Sequence, residues 1–185
     1  TFDGTNFRFN GVGRGFYGGA DIRTAFRPNP DNGSLEDHSG FAWIQLDSSS
    51  TPNDGSGWVP NLKVFTVIGN IGGRSNNGVF GVEENGTSLV YKMRCIKSAG
   101  GVTSPVLQSI PFPDISNGWH LISFSFDFSA QKACFYLDGV SLGCRTIADP
   151  IDSINGSTGA ATIGYFSVTG NPNACGQFSG LMNIV

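Results

Sequence analysis

Carboxylate side chains are the first candidates for chemistry, because two of them facing one cleft can act as acid and base. The chain has three glutamates: Glu36, Glu83 and Glu84. Glu83 and Glu84 are adjacent, so in a strand their side chains point to opposite faces and cannot share a site. They precede Asn85-Gly86, a hairpin turn signal, which indicates solvated charges at a strand end. The glutamates therefore do not indicate an acid–base centre.

Serine and zinc chemistry are no better supported. Serines are abundant, so a Ser-His-Asp triad stays open as an alternative, but we expect no Gly-x-Ser-x-Gly nucleophile elbow. The two histidines, His38 and His120, lack the spacing of zinc ligands, and no Cys-x-x-Cys pair accompanies them. His120 follows Trp119 at a strand start, and we expect it to be structural. The sequence thus predicts a protein without catalytic residues that is not an enzyme.

Four cysteines predict two disulfides in an oxidising compartment: Cys95, Cys134, Cys144 and Cys175. Three connectivities are open. A two-residue turn at Asp138-Gly139 would set Cys134 opposite Gly143, with Cys144 on the other face of the hairpin. A bridge between these two cysteines would need a bulge, which Gly143 could provide. We therefore expect each of them to pair with one of the other two cysteines.

A non-catalytic sugar site needs an exposed aromatic ring for the apolar face of a sugar and polar groups for its hydroxyls. Trp58 lies in the polar loop 47–61 and is the tryptophan that we expect to contact a ligand. Tyr17, in the glycine-dense segment 11–20, is a second candidate. Trp43 and Trp119 lie in strand patterns, and we expect them in the core. The predicted partner is carbohydrate or, alternatively, other copies of the chain.

Three sequons of the form Asn-x-Ser/Thr occur, at Asn32, Asn85 and Asn155. Each lies in a predicted turn, where an attached glycan would be exposed to solvent. They are predicted glycosylation sites in a source that glycosylates its proteins.

The segment 118–144 has the strongest strand pattern and organises the elements around these residues. Its first part alternates apolar with mostly polar residues at a period of two, which predicts a strand with one buried face: Ile122, Phe124, Phe126 and Phe128. Asp138-Gly139 between further alternating residues predicts a tight hairpin, because both turn positions need positive φ.

Short strands with frequent turn signals make up the rest of the chain. We expect strands at 6–10, 21–27, 41–46, 63–68, 78–83, 88–96, 106–110, 161–166 and 178–185, and loops at 11–20, 28–40 and 98–104. The strand 41–46 is apolar on both sides and is predicted to be central in its sheet. Only 149–154 could form a helical turn. The pattern predicts an all-β sandwich or barrel.

Composition limits the partners and the compartment. Charged residues are 14% of the chain and the net charge is −3, with no basic cluster, which argues against nucleic acid. No apolar run approaches the roughly 18 residues of a membrane span. The chain begins at Thr1, which suggests a processed start. With the cysteines, these features predict an extracellular or cell-surface protein whose charge-poor surface favours self-association.

Several short motifs in a fixed order resemble the laminin-G-like, concanavalin-A-like jelly-roll family. They are Trp119-His120, Tyr136-Leu137-Asp138-Gly139, Ile163-Gly164 and Phe178-Ser179-Gly180. The resemblance covers nearly the whole chain and implies one domain over 1–185, a two-sheet antiparallel jelly-roll β-sandwich. Glucanases of this fold resemble each other in a Glu-x-Asp-x-Glu strand, which this chain lacks.

Many relatives hold a structural calcium ion, which the resemblance would place between Asp3 and Asn183 on the terminal strands. Relatives often have an acidic residue where Asn183 stands, so turn and strand roles for these two residues are the expected alternative. No other cofactor is expected.

The fold hosts lectins, adhesion modules, glycanases and structural domains, so function has to be argued from the site. We expect a non-catalytic extracellular module for recognition or adhesion that binds carbohydrate. The alternative is a structural subunit of an extracellular assembly, such as a filament or surface layer. In that case the segment 1–19 could add a strand to the sheet edge of a neighbour.

Overall fold

A computed structural model describes residues 7–10, 16–17, 37–47, 64–71, 78–83, 88–93, 95–103, 105–113, 115, 118–154, 160–163 and 178–183. The strands in these ranges are β1 (Phe7–Asn10), β2 (Phe16–Tyr17), β3 (His38–Leu46), β4 (Val64–Ile71), β5 (Gly78–Glu83), β6 (Leu89–Met93), β7 (Cys95–Lys97), β8 (Val102–Thr103), β9 (Val106–Gln108), β10 (His120–Asp127), β11 (Lys132–Leu137), β12 (Val140–Thr146), β13 (Ile151–Ile154), β14 (Ala160–Ile163) and β15 (Ser179–Asn183). Within these ranges the structure has no helix with the length and hydropathy needed to cross a bilayer.

Two six-stranded sheets and one small sheet organise the strands. Sheet 1 has the order β1-β15-β3-β10-β11-β12, and sheet 2 has the order β2-β14-β4-β5-β6-β9. Sheet 3 has the order β13-β7-β8. All the described pairings are antiparallel. The predicted all-β, two-sheet antiparallel sandwich is confirmed.

The core lies between sheets 1 and 2 and is rich in aromatic rings. On β10, Ile122, Phe124 and Phe126 are buried, as the period-two pattern predicted. The Phe124 ring packs 4.6 Å from the Phe80 ring of β5 and stacks 4.5 Å from the Tyr91 ring of β6, centroid to centroid. Aromatic pairs at this separation contribute about 0.5–1.5 kcal/mol beyond the area that they bury. Phe124 therefore joins the two sheets at their centre.

The predicted hairpin turn at Asp138-Gly139 is confirmed. Both residues have positive φ, at 50° and 79°, as a two-residue turn between twisted strands requires. Leu137 then faces Val140 and Tyr136 faces Ser141.

The register of this hairpin shifts between Cys134 and Tyr136, and the shift determines which cysteines lie opposite each other. Two residues, Leu142 and Gly143, lie against one residue of β11, with Gly143 at a φ of 82°. Cys134 and Cys144 are thereby brought opposite each other and form a disulfide. The expected pairing of each with one of the other cysteines is wrong. Without the bulge Cys144 would point to the other face of the hairpin, and the extra residue in β12 turns it to the same face as Cys134. Cys95 lies on β7, and Cys175 lies outside the described residues.

Other local expectations need correction. The segment 149–154 contains strand β13, not a helical turn, because Ile151 is buried and β13 pairs with β7. The single strand expected at 88–96 is two strands, β6 and β7, which belong to different sheets. The loops expected at 98–104 and 11–20 contain the two-residue strands β8 and β2. The strand expected at 21–27 lies outside the described residues.

The two described strands of the segment 1–19 pair within the chain. β1 pairs with β15 and β2 pairs with β14, so the two strands form one edge of sheet 1 and one edge of sheet 2. Addition of this segment to a neighbour's sheet stays a prediction.

Gly180 of β15 marks a close approach between two backbones. Its φ is 143°, and a Cβ built on it would lie 2.0 Å from the Gln45 carbonyl oxygen of β3. No side chain fits there. Steric exclusion therefore explains why the closing Phe178-Ser179-Gly180 motif ends in glycine. Phe178 of the same motif is buried in the core.

Non-reducing peptide mapping should link the peptides that carry Cys134 and Cys144. Replacing both by Ala should lower the free energy of unfolding by about 3 kcal/mol, because the bridge closes a short loop in the unfolded chain. Denaturation in urea measures the change. A peptide that links either cysteine to Cys95 or Cys175 would contradict the assignment.

Gly180→Ala should lower the free energy of unfolding by about 3 kcal/mol, since the new methyl group meets the Gln45 carbonyl and φ is strained. Gly101→Ala is the matched control, because Gly101 also has positive φ but nothing within 4 Å of a built Cβ. The control should lose only about 1 kcal/mol, from backbone strain alone. Equal losses in thermal or urea denaturation would mean that the close approach is absent.

Candidate functional site

Most of the residues predicted to form sites lie outside the described part of the chain: Asp3, Asn32, Trp58, Asn85 and Asn155. The backbone of Tyr17 lies on β2 and pairs with Thr162. Asn183 ends β15, is half-buried and pairs with Trp43. The sugar, calcium and glycosylation sites assigned to these residues remain predictions.

Strand β3 exposes two aromatic side chains on one face. Phe41 is 54% exposed and Trp43 is 39% exposed, whereas Ala42 and Ile44 between and beside them are buried in the core. The prediction that Trp43 lies in the core is therefore wrong. The strand is central in its sheet, as predicted, but its second apolar face points away from the core. Trp119, also expected in the core, is 37% exposed.

Neighbouring strands extend the exposed face of β3. Trp43 lies between Asn183 of β15 and Leu121 of β10. Phe41 lies beside Ser123 of β10, and Ser123 in turn lies beside Tyr136 of β11. The residues that alternate with them along the same strands are core residues, so all six project away from the core. We call this surface the aromatic face: Phe41, Trp43, Leu121, Ser123, Tyr136 and Asn183.

One hydrogen-bonded pair lies at the end of the aromatic face. The Asp138 carboxylate accepts a bond from His120 Nδ1 and another from the Leu121 backbone N–H, both at 2.8 Å. Asp138 N–H donates back to the Leu121 carbonyl at 2.8 Å. Burial opposes ionisation of Asp138, but the bonds from His120 and Leu121 and the His120 charge outweigh it and lower its pKa. The pair ties the hairpin turn to the start of β10.

Both histidines have structural partners. His38 Nε2 lies 2.5 Å from Tyr91 Oη, and its ring packs against the Phe126 ring at 5.3 Å. His120 bonds to Asp138 as described. Among the described residues no group of three His, Cys, Asp or Glu side chains could hold a metal ion.

The segment 139–143 has the Gly-x-Ser-x-Gly spacing of a nucleophile elbow, but it does not form one. An elbow is a sharp turn from a strand into a helix. Here Ser141 lies on β12, pairs with Tyr136 across the hairpin, and accepts a hydrogen bond on Oγ from Gly143 N–H at 3.2 Å. The spacing results from a hairpin turn followed by a bulge.

At β6 the outer face of sheet 2 is less accessible to solvent than the aromatic face of sheet 1. Ser88, Val90 and Lys92 alternate along the chain with the core residues Leu89 and Tyr91, and they are buried as well. Both faces of β6 are therefore covered. The aromatic face of sheet 1, by contrast, exposes two aromatic rings on one strand, those of Phe41 and Trp43.

A signal for this face was present in the sequence. Phe41 and Trp43 share their strand face with Gln45, and β10 beside them has Ser123 and Ser125 on the same face. Such polar residues mark the solvent side of the sheet. The general preference of tryptophan for the core predicts the opposite placement of Trp43, and the parity of the strand is the signal that holds here.

Replacing Asp138 by Asn tests the electrostatics of the pair, because Asn also tolerates positive φ. The folded pKa of Asp138 lies below its ordinary value of 3.8. Its charge therefore stabilises the fold above this value, and the stabilisation is lost as the pH falls through the folded pKa. We expect Asp138→Asn to lower the free energy of unfolding at neutral pH by no more than about 1 kcal/mol, since the side chain is partly exposed and screened.

Urea denaturation at a series of acidic pH values measures this effect. The difference between wild type and variant should shrink as the pH falls below 3.8. A difference that stays constant through this range would show that the charge of Asp138 does not contribute.

Comparison with known proteins begins with two negative results: no protein-family model matches the chain, and no curated protein matches it in sequence. Solved structures match it in fold. One is the CBM40 carbohydrate-binding module of Ruminococcus gnavus IT-sialidase bound to α2,6-sialyllactose, with a TM-score of 0.60 and 10% identity. The match covers 97% of this chain and 88% of the module.

Two larger proteins also contain the fold. Domains LG4-5 of the mouse laminin α1 chain match with a TM-score of 0.58 and 10% identity, over 99% of this chain and 41% of that one. NanB sialidase from Streptococcus pneumoniae matches with a TM-score of 0.58 and 14% identity, over 98% and 25%. This chain thus spans less than half of either protein. It has the laminin-G-like, concanavalin-A-like jelly-roll fold.

Proposed function

We propose that the chain is a non-catalytic carbohydrate-binding module that acts in recognition or adhesion outside the cell or at its surface. The observation that carries the proposal is the exposure of Phe41 and Trp43 on one face of β3. Adjacent exposed aromatic rings in the middle of a sheet leave apolar surface in water, and such surfaces mark interaction sites.

The composition of the aromatic face suits a sugar. A pyranose ring has an apolar face of C–H groups, which stacks on an aromatic ring, and an equatorial rim of hydroxyl groups. Ser123, Tyr136 and Asn183 place hydroxyl and amide groups beside the rings of Phe41 and Trp43. A protein partner would favour a more continuous apolar surface at the centre of its interface.

Two further observations support the proposal. A CBM40 module of the same fold has been solved with sialyllactose bound, so the fold serves carbohydrate binding in another protein. The Cys134–Cys144 disulfide suits an oxidising compartment. We keep Trp58 and Tyr17 as candidate additional contacts, Asp3 and Asn183 as a candidate calcium pair, and Asn32, Asn85 and Asn155 as candidate glycosylation sites.

The second candidate function is that of a structural subunit of an extracellular assembly. Exposed Val106, Ile110 and Val140 favour it, since Val106 lies on β9 and Val140 begins β12, both edge strands of their sheets. The Ile110 N–H donates to the Leu142 carbonyl at 3.2 Å, so the exposed Ile110 lies beside β12. Edge strands with apolar side chains are sites of association between chains.

Trp43→Ala should weaken binding of the wild-type ligand on a glycan array by at least about tenfold, because the largest stacking surface is lost. Trp43→Phe, which keeps a ring, should lose less. Val140→Ala is the control, since Val140 is 67% exposed and lies at the hairpin turn, away from Phe41 and Trp43. Thermal denaturation of each variant confirms that it is folded.

Two outcomes would overturn the proposal. Wild-type protein that binds no glycan on the array is not a carbohydrate-binding module. Polymers on size-exclusion chromatography, together with that result, would favour the structural subunit. Binding that survives Trp43→Ala would place the sugar on another surface.

A further inference from the structure

We infer that the aromatic face binds an uncharged glycan along the interior of its chain and contacts at least two consecutive sugar residues. This inference rests on the proposed function and deepens it, because it names the class and the length of the ligand. It follows from the spacing of the rings, from their place in the sheet and from the charges around them.

The rings are too far apart for one sugar residue. Phe41 and Trp43 are two residues apart on β3, which separates their Cα atoms by about 6.7 Å. Tyr136 lies beside Ser123, which lies beside Phe41, so Tyr136 and Phe41 are two strand spacings apart, or about 9.5 Å. A single pyranose is about as wide as one aromatic side chain. It stacks on one of these rings, and only a longer chain reaches a second.

The position of the rings favours the interior of a chain over its end. All six residues of the aromatic face project from four neighbouring strands, β15, β3, β10 and β11. Side chains on such strands form a continuous surface, whereas the recognition of a terminal sugar needs a concave pocket around it. The described part of the face therefore suits the flat side of an extended chain.

The charges favour an uncharged ligand. None of the six residues of the aromatic face carries a formal charge. No described basic residue of sheet 1 is a direct strand neighbour of these six: Lys132 lies opposite the acidic Asp127, Arg145 lies opposite the core residue Ala133, and Arg8 lies opposite Leu181, two residues from Asn183 along β15. At the end of the face stands the Asp138 carboxylate, whose side chain is 44% exposed and would repel an anionic sugar.

The test measures affinity by calorimetry for β-1,4-linked oligomers of glucose, mannose and N-acetylglucosamine, each from monomer to hexamer. Affinity for the bound series should rise about tenfold for each added stacked sugar and level off near the trimer. Tyr136→Ala should reduce the affinity for the longer oligomers by a larger factor than that for the shorter ones. Tyr136→Phe should preserve the length dependence, and Val140→Ala should match wild type.

Charge preference is tested with lactose against sialyllactose. The inference expects no gain from the sialic acid. Tighter binding of sialyllactose, equal affinity for monomer and hexamer, or no binding to any of the three series would overturn it. The proposed function would stand in each case if the glycan array still showed a ligand lost in Trp43→Ala, and it would fall if the array were negative or if binding survived that substitution.

Discussion

The contact of Phe124 with Phe80 and Tyr91 is the packing on which the rest of the structure depends. It holds β10 of sheet 1 against β5 and β6 of sheet 2. Once Phe124 points inward, the period of two along β10 sends Ser123 outward. Residues opposite each other in paired strands point to the same face of a sheet. Phe41 and Tyr136, which lie opposite Ser123 on its two sides, therefore also point outward. The aromatic face is therefore a geometric consequence of how the core is packed.

Much of the fold was predictable because its signals are local. The alternation from Ile122 to Phe126 and the Asp138-Gly139 turn need only neighbouring residues to be interpreted, and both are confirmed. The bulge at Gly143 was harder, because a positive φ at one glycine changes which residues face each other without changing the hydrophobic pattern. The strand β13 was missed because four residues carry too little periodicity to outweigh a local turn signal.

The candidate aromatic face was not predicted. The sequence predicts a ligand-contacting tryptophan in a loop at Trp58, which lies outside the described residues, and the structure exposes a different tryptophan, Trp43, on a central strand. A strand that is apolar on both sides has two explanations: it is covered on both faces, or it exposes one apolar face for an interaction. β6 is an example of the first and β3 of the second. The sequence of each strand alone does not distinguish them: β6 contains the buried Lys92, and the signal for β3 lies partly in the serines of the neighbouring strand β10.

The close approach of Gly180 to the Gln45 carbonyl has a consequence for the entropy cost of the proposed ligand binding. It seats β15 tightly on β3, while β10 pairs with the other side of β3 along its length. The backbone that carries Phe41 and Trp43 is thus hydrogen-bonded to a strand on each side without any ligand. A rigid backbone has little conformational entropy left to lose on association, so the interaction energy of the rings appears more fully in the affinity. Lectin-like modules that use mobile loops lack this advantage and must order their loops during binding.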